Sequence, residues 1–150
     1  MLYLIGLGLD DGEITQKGIK ALESVDKAYA EFYTNTETVD LDKLDEETGT
    51  EIEKLSREQV EQEDTIIESA REQDTAFLVS GNALTATTHY EIKHRAEKEG
   101  LEVEVVHAPS IFTSISETGL NVYKFGRTVT LPEDFAPDSI VEHVEKNESI

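Results

Sequence analysis

The chain has 150 residues and no cysteine, and its 33 acidic side chains outnumber 13 basic ones for a formal charge of -20. This length suits one domain that buries roughly 70% of its unfolded surface, and a hydrophobic content of 37% suffices for a core. The lack of cysteine excludes a disulfide framework and a thiolate zinc site, and the missing basic footprint argues against nucleic acid.

The acids are spread along the whole chain instead of being gathered in a tail. That pattern reads as a solvated surface adapted to high salt, where screening relieves self-repulsion. Met1–Leu9 is apolar, but it lacks a basic leader and is too short to span a bilayer. A soluble, cytoplasmic protein without membrane association is expected.

In chain order, Leu2-Tyr3-Leu4-Ile5 predicts a buried strand running into Gly6-Leu7-Gly8-Leu9 and the polar loop Asp10–Glu13. Thr15 is a candidate N-cap for a helix bearing Ile19, Leu22 and Val25. Gly6 and Gly8 suit a tight turn or a close approach to a ligand. The third glycine of the dinucleotide fingerprint is missing, so a structural turn and a ligand loop both stay open.

Lys27–Tyr33 reads as a second strand with alternating character, Thr34–Thr38 as a polar loop, and Val39–Glu47 as a short acidic helix ending near Gly49. Glu51–Leu55 suggests a weak third strand. Ser56-Arg57-Glu58-Gln59 has the form of a capping box opening one helix with Val60, Ile67 and Ala70 on a face.

Thr75–Val79 is a short apolar run bounded by Ser80-Gly81-Asn82, which predicts a buried strand ending in a turn. Thr88-His89-Tyr90-Glu91 fits a second capping box, so a helix is expected from about Thr87 to Gly100. Leu101–Val106 alternates into a strand, and His107–Ser110 forms the next loop. Ser110–Thr118 predicts a short helix stopped by Gly119. Asn121–Phe125 and Thr128–Leu131 predict short strands. Asp138 or Ser139 is expected to cap a last helix carrying Ile140, Val141 and Val144. Strands alternating with helices indicate an α/β fold, a mostly parallel sheet covered on both faces.

Gly6–Glu13, Gly81–Ala86 and His107–Ser110 each follow a strand, so a parallel sheet gathers them on its carboxyl edge, where such sheets bind ligands. They carry glycines, hydroxyls and one amide. This chemistry suits a ligand gripped by backbone groups and packing, not hydrolysis by paired carboxylates. His89 and His94 lie about 140° apart around a helix, so they share no metal face, and no metal site is expected. Ser110 lacks the elbow of a serine nucleophile and reads as an N-cap or a ligand hydrogen bond. Asn82 is either a turn residue or a ligand contact. Lys124 and Arg127 read as solvated charges, or as contacts for an acidic partner.

Met1–Leu9 with Ile14-Thr15 and Lys17-Gly18, the Ser80–His89 segment, and His107-Ala108-Pro109-Ser110-Ile111 are similar to segments of one known family. The likeness continues through Thr118-Gly119-Leu120, Tyr123-Lys124-Phe125-Gly126 and Thr130-Leu131-Pro132. In this order they resemble the diphthine synthases of the tetrapyrrole-methylase superfamily. The resemblance implies S-adenosyl-L-methionine as methyl donor, S-adenosyl-L-homocysteine as product, and a cleft between two α/β domains. It also implies a protein substrate, the amino group of a modified histidine of translation elongation factor 2 in diphthamide synthesis, and a homodimer. By position, the donor contacts fall on Leu9, Asn82, Thr85, Ser110 and Ile111, with no identifiable catalytic base.

Two departures accompany the likeness. The family places Asp where this chain has Asn82, and the loop after Leu9 is one residue shorter. Residues 1–150 are expected to form one donor-binding domain, the family's second domain falling after Ile150. Activity of these residues alone is expected to be weak or absent. Alternative readings are another superfamily member acting on a corrinoid precursor or ribosomal RNA, and a non-catalytic folding or dimerisation module.

Overall fold

A computed structural model describes residues 1–33, 39–85, 87–126, 128–129 and 137–146. Expectations that fall on Thr34–Thr38, Ala86, Arg127 and Thr130–Pro132 lie outside these residues.

Five strands form among the described residues: β1 (Leu2–Gly6), β2 (Lys27–Glu31), β3 (Ile52–Lys54), β4 (Thr75–Val79) and β5 (Val103–Val106). They pair in the order β3-β2-β4-β1-β5, and every pair is parallel. β4 is buried along its whole length, as an unbroken apolar run in a covered parallel sheet must be. β2 departs from the alternation its sequence suggests, because Ala28 to Glu31 are all buried. Strands flank it on both sides, and helices cover both faces, so even Glu31 is taken out of water.

The helices preceding the last strand are α1 (Gln16–Glu23), α2 (Leu41–Thr48), α3 (Arg57–Glu61), α4 (Thr65–Glu72) and α5 (Tyr90–Lys98). Thr15 caps α1 as expected, its hydroxyl accepting from the Gly18 amide at 3.1 Å. Asp40 caps α2, which ends at left-handed Gly49. Ser56 and Gln59 form the capping box of α3. The single helix expected after Ser56 is two helices. At its end the Gln62 and Glu63 amides both close onto the Glu58 carbonyl, and α4 starts afresh with Ile66, Ile67 and Ala70 buried. The intervening Glu-Gln-Glu-Asp stretch has no apolar face to bury, so nothing holds a continuous helix there.

Thr88 does not cap α5 either. His89 already has helical dihedrals and makes no side-chain cap bond. Its ring is fully buried, edge-on to Phe77 at 5.0 Å between centroids, so tertiary packing overrides the local capping signal.

The helices sort by face. Val60 of α3, Ile67 and Ala70 of α4, and Ile92 and Ala96 of α5 pack with Leu2, Leu4, Phe77 and Val79 on one side. Ala21 and Leu22 of α1, and Leu41 and Leu44 of α2, pack with Ile5, Ala30 and Leu78 on the other. Full burial of a side chain such as Phe77 contributes on the order of 2–3 kcal/mol. The sorting follows from the strand order. The chain travels one way from β1 through β2 to β3 and the opposite way from β3 through β4 to β5. Crossovers of one hand must then place their helices on opposite faces.

The chain divides into two compact units, residues 1–111 and 112–150; the first holds the sheet. In the second, α6 (Ile111–Ser114) carries on from the first unit into a 3-10 turn over Ile115–Thr118 that stops at Gly119. Val122–Lys124 is also a 3-10 turn, where a strand was expected. Amide bonds from Lys124 to Asn121 and from Phe125 to Val122 close it locally. β-propensity is realised only against a neighbouring strand, and no strand of the described residues pairs here. Thr128 and Val129 are likewise outside any strand. The last helix is α7 (Asp138–Lys146), with Asp138 inside it instead of capping it.

Gly18 marks where α1 presses on β1. An added Cβ would meet Ile14 at 2.9 Å and Ile5 at 3.1 Å. Gly18→Ala should therefore destabilise by about 1–2 kcal/mol through overpacking, instead of the gain of roughly 1 kcal/mol an open helical glycine would give. Urea unfolding would read the sign.

Candidate functional site

The chain leaves β1 for a helix on one face of the sheet and β4 for a helix on the other, so the direction of winding reverses between these neighbouring strands at the carboxyl edge. This is the switch point at which open α/β sheets bind ligands. The residues lining it are those with the least bulk. Gly8 and Gly81 form an antiparallel bridge across it, Gly8 N–H donating to the Gly81 carbonyl at 3.1 Å and Gly81 N–H returning to Gly8 at 2.7 Å.

Two of these glycines are sterically required. A Cβ on Gly6 would lie 2.6 Å from the Gly81 carbonyl oxygen and 2.9 Å from Ala108 Cβ, so a methyl there would wedge three segments apart. Gly8 has φ +83, and a Cβ would lie 2.3 Å from that of Glu13. Glu13 then folds its carboxylate back to accept from the Leu9 amide at 2.6 Å, closing the first loop.

The expected site residues gather in part. Leu9, Asn82 and Thr85 are half-buried, Ser110 is buried and Ile111 is exposed. The Leu9 side chain and the Pro109 carbonyl both come within 3.9 Å of where a Gly81 Cβ would stand, so loops one, two and three meet around Gly81. Thr85 closes a turn by donating its amide to the Asn82 carbonyl at 3.0 Å. The apolar surface of Leu9, the small residues around Gly81, and the buried Ser110 offer packing and backbone groups to a ligand instead of a charged relay.

Asn82 does more than turn the chain. Its Oδ1 accepts from the Leu84 amide at 3.3 Å, and its Nδ2 donates to the Ala108 carbonyl at 3.2 Å. Those two bonds assign the amide orientation. The second Nδ2 proton then points to His107 Nδ1 at 3.1 Å, which leaves the ring proton on Nε2. Asn82 therefore ties the loop after β4 to the loop after β5. No orienting partner for His107 was visible in the sequence, because 25 positions separate the pair.

A second polar group lies where β2 and β4 end. His89 Nε2 is 3.6 Å from Glu31 Oε1, both side chains fully buried. Neither ring nitrogen of His89 has a hydrogen-bond partner among the described residues, and neither does the buried Tyr33 hydroxyl. Burial pushes the Tyr33 phenol up to about 12, aided by the charges of Glu31 and Glu61. Burial also pushes His89 down to about 4. Among the described residues no group of three metal-ligating side chains occurs, and no helix is long and apolar enough to cross a membrane.

The depressed His89 value has a sign. As pH falls below the ordinary 6.5, the unfolded chain takes up a proton that the folded chain refuses until about pH 4. Stability present above pH 6.5 is thus lost across that window, by at most about 3 kcal/mol. Urea unfolding at pH 7 and pH 4.5 should show a larger acid loss in the wild type than in His89→Phe. Equal losses would mean the folded protein protonates His89 normally.

A sequence profile of the family described as Tetrapyrrole (Corrin/Porphyrin) Methylases matches residues 1–146. Among curated proteins, the chain is 41% identical over 156 residues to the diphthine synthase of Methanococcus vannielii, covering 100% of this chain and 61% of that protein. It is 39% identical over 153 residues to the diphthine synthase of Methanocaldococcus jannaschii, covering 98% of this chain and 60% of that one. A crystal structure of diphthine synthase superposes with a TM-score of 0.90 at 32% identity, over 97% of this chain and 59% of the other. The chain thus spans about three fifths of the length of these relatives. A family match over residues 1–146, with a closely superposing fold, means that this chain belongs to the tetrapyrrole methylase family.

Proposed function

We propose that residues 1–150 are the S-adenosylmethionine-binding part of a methyltransferase of diphthamide biosynthesis. In this reading the substrate is the amino group of the modified histidine of elongation factor 2, and the working enzyme is a cytoplasmic homodimer. Donor binding, not the whole reaction, is assigned to these residues. The observation that carries the reading is the meeting of three backbone loops around Gly81 at the β1–β4 switch point, in a chain of this family.

When bound, S-adenosylmethionine supplies a sulfonium methyl that passes to a nitrogen lone pair as its C–S bond breaks, leaving S-adenosylhomocysteine and a proton released from nitrogen. Leu9 and Ile111 would pack against the nucleoside or methionine chain, and Ser110 and the Thr85 turn would fix it by hydrogen bonds. The glycine bridge holds those groups at a set separation. Such a site works by positioning and by keeping water out, which requires no dedicated base among Leu9, Asn82, Thr85, Ser110 and Ile111. A surface of charge -20 attracts a cationic donor and suits a high-salt cytoplasm, where screening tempers its self-repulsion.

Calorimetry with S-adenosylhomocysteine on this chain tests donor binding, and saturable heat is expected. Absence of heat at high ligand concentration would favour a non-catalytic module. Mass spectrometry of elongation factor 2 after reaction with a full-length relative carrying these residues tests the substrate. A corrinoid precursor methylated in place of the factor would move the chain to another branch of the family.

Asn82→Asp separates charge from geometry. A carboxylate at this position faces the Ala108 carbonyl, losing the 3.2 Å bond, but it adds a negative charge toward a sulfonium. S-adenosylmethionine should gain on neutral S-adenosylhomocysteine by about 1 kcal/mol, roughly fivefold, for charges about 6–8 Å apart at intermediate dielectric. An unchanged ratio of the two affinities would leave Asn82 as a loop tie alone.

A further inference from the structure

The buried polar group around His89 has no part in the donor site described above, yet it opens onto a cavity. That cavity holds about 290 Å³ and is lined by His89, Glu61, Glu91, Arg95, Val60 and Ile92. His89 forms part of its wall with both ring nitrogens lacking a partner among the described residues. A buried imidazole in that condition calls for a bound group to complete it. Glu31 stands behind the ring at 3.6 Å, at the end of β2 and in register with Val79, two residues before Gly81.

We propose that this cavity binds an alkylammonium group, and, on the methyl-transfer reading above, that it seats the amine to be methylated. Charge and shape both select this ligand. The walls offer the carboxylates of Glu61 and Glu91, a third behind His89, and one imidazole lone pair, all acceptors for N–H donors. Arg95 is engaged by Asp64, and Arg57 meets Glu61 at 3.4 Å on the exposed side, so Glu91 and the carboxylate behind His89 carry the acidic excess. Val60 and Ile92, both buried core residues, give aliphatic surface for the methylenes next to nitrogen. An ammonium is charged at neutral pH, as the lysine amine is, so the acidic lining favours it over an alcohol or a carboxylic acid of the same size.

The place also suits an acceptor. Thr88 and His89 continue the segment that begins with the Asn82–Thr85 turn, and Glu31 ends the strand beside β4. Both therefore stand at the carboxyl edge of the sheet.

The test uses nitrogen-15 NMR of the four histidine rings in this chain, titrated with n-propylammonium, with n-propanol and butyrate as controls. A further arm uses L-2-aminobutyrate, which carries the amine and a carboxylate together. Saturable shifts confined to His89 with the two amines, and absent with the alcohol and the acid, are expected. The double variant Glu61→Gln, Glu91→Gln lies at the cavity mouth and leaves the buried pair untouched; it should weaken propylammonium about tenfold. Shifts shared by all four rings, equal effects of propanol, or unchanged affinity in the variant would overturn the proposal, leaving water as the occupant. S-adenosylhomocysteine calorimetry on the same samples keeps the two readings apart. Donor binding without amine binding sinks only the cavity assignment, and amine binding without donor binding sinks only the methyltransferase reading.

Discussion

The close backbone contact between Gly6, Gly8, Gly81 and Ala108 is the constraint on which the first unit depends. A side chain at Gly6 alone would push apart the carboxyl ends of β1, β4 and β5, since it would strike the Gly81 carbonyl and the Ala108 methyl. Without it, two loops share a pair of amide bonds and the third packs against both. The sheet order makes that contact useful, because the crossovers leave β1 and β4 toward opposite faces and the loops meet at the switch point between them. A fold that turned all its crossovers one way would close this edge with a helix.

The two polar elements near the switch point illustrate opposite solutions to burial. Asn82 uses both amide protons and its oxygen within the protein, so the loops it joins are held by satisfied bonds. His89 sits in apolar surroundings with its nitrogens uncommitted and a carboxylate nearby. The first arrangement rigidifies, as complete networks do. The second retains an unmet demand for hydrogen bonds, which is how a site advertises a ligand. The surface charge acts on both from a distance, drawing cations toward an acidic molecule.

Much of this was legible from the residues. Apolar runs located β1 and β4, alternation located β2 and β5, and β3 was legible only as a weak strand, while Thr15, Ser56 and Gly49 punctuate helices where the local chemistry says they should. The errors share a cause. Val122-Tyr123-Lys124 has strand-forming residues but no paired neighbour. Thr88 has capping chemistry, yet packing of the His89 ring on Phe77 sets where α5 begins. Val60 and Ile67 keep helical spacing across a stretch with nothing to bury. In each case a local preference worth roughly a few tenths to 1 kcal/mol was decided by the tertiary contacts present or missing at that place.

The sequence by itself determined the α/β class, the parallel sheet, the glycine-lined edge and the family likeness, because these follow from short-range periodicity, backbone sterics and ordered motifs. Only the tertiary structure decided the strand order, the bond from Asn82 to His107 across 25 residues, and the meeting of Glu31 with His89 across 58 positions of chain. Those contacts join segments whose separation along the chain carries no periodic signal. They exist because the crossovers bring the ends of β2, β4 and β5 to one edge, where burial makes each polar group find a partner or remain in want of one.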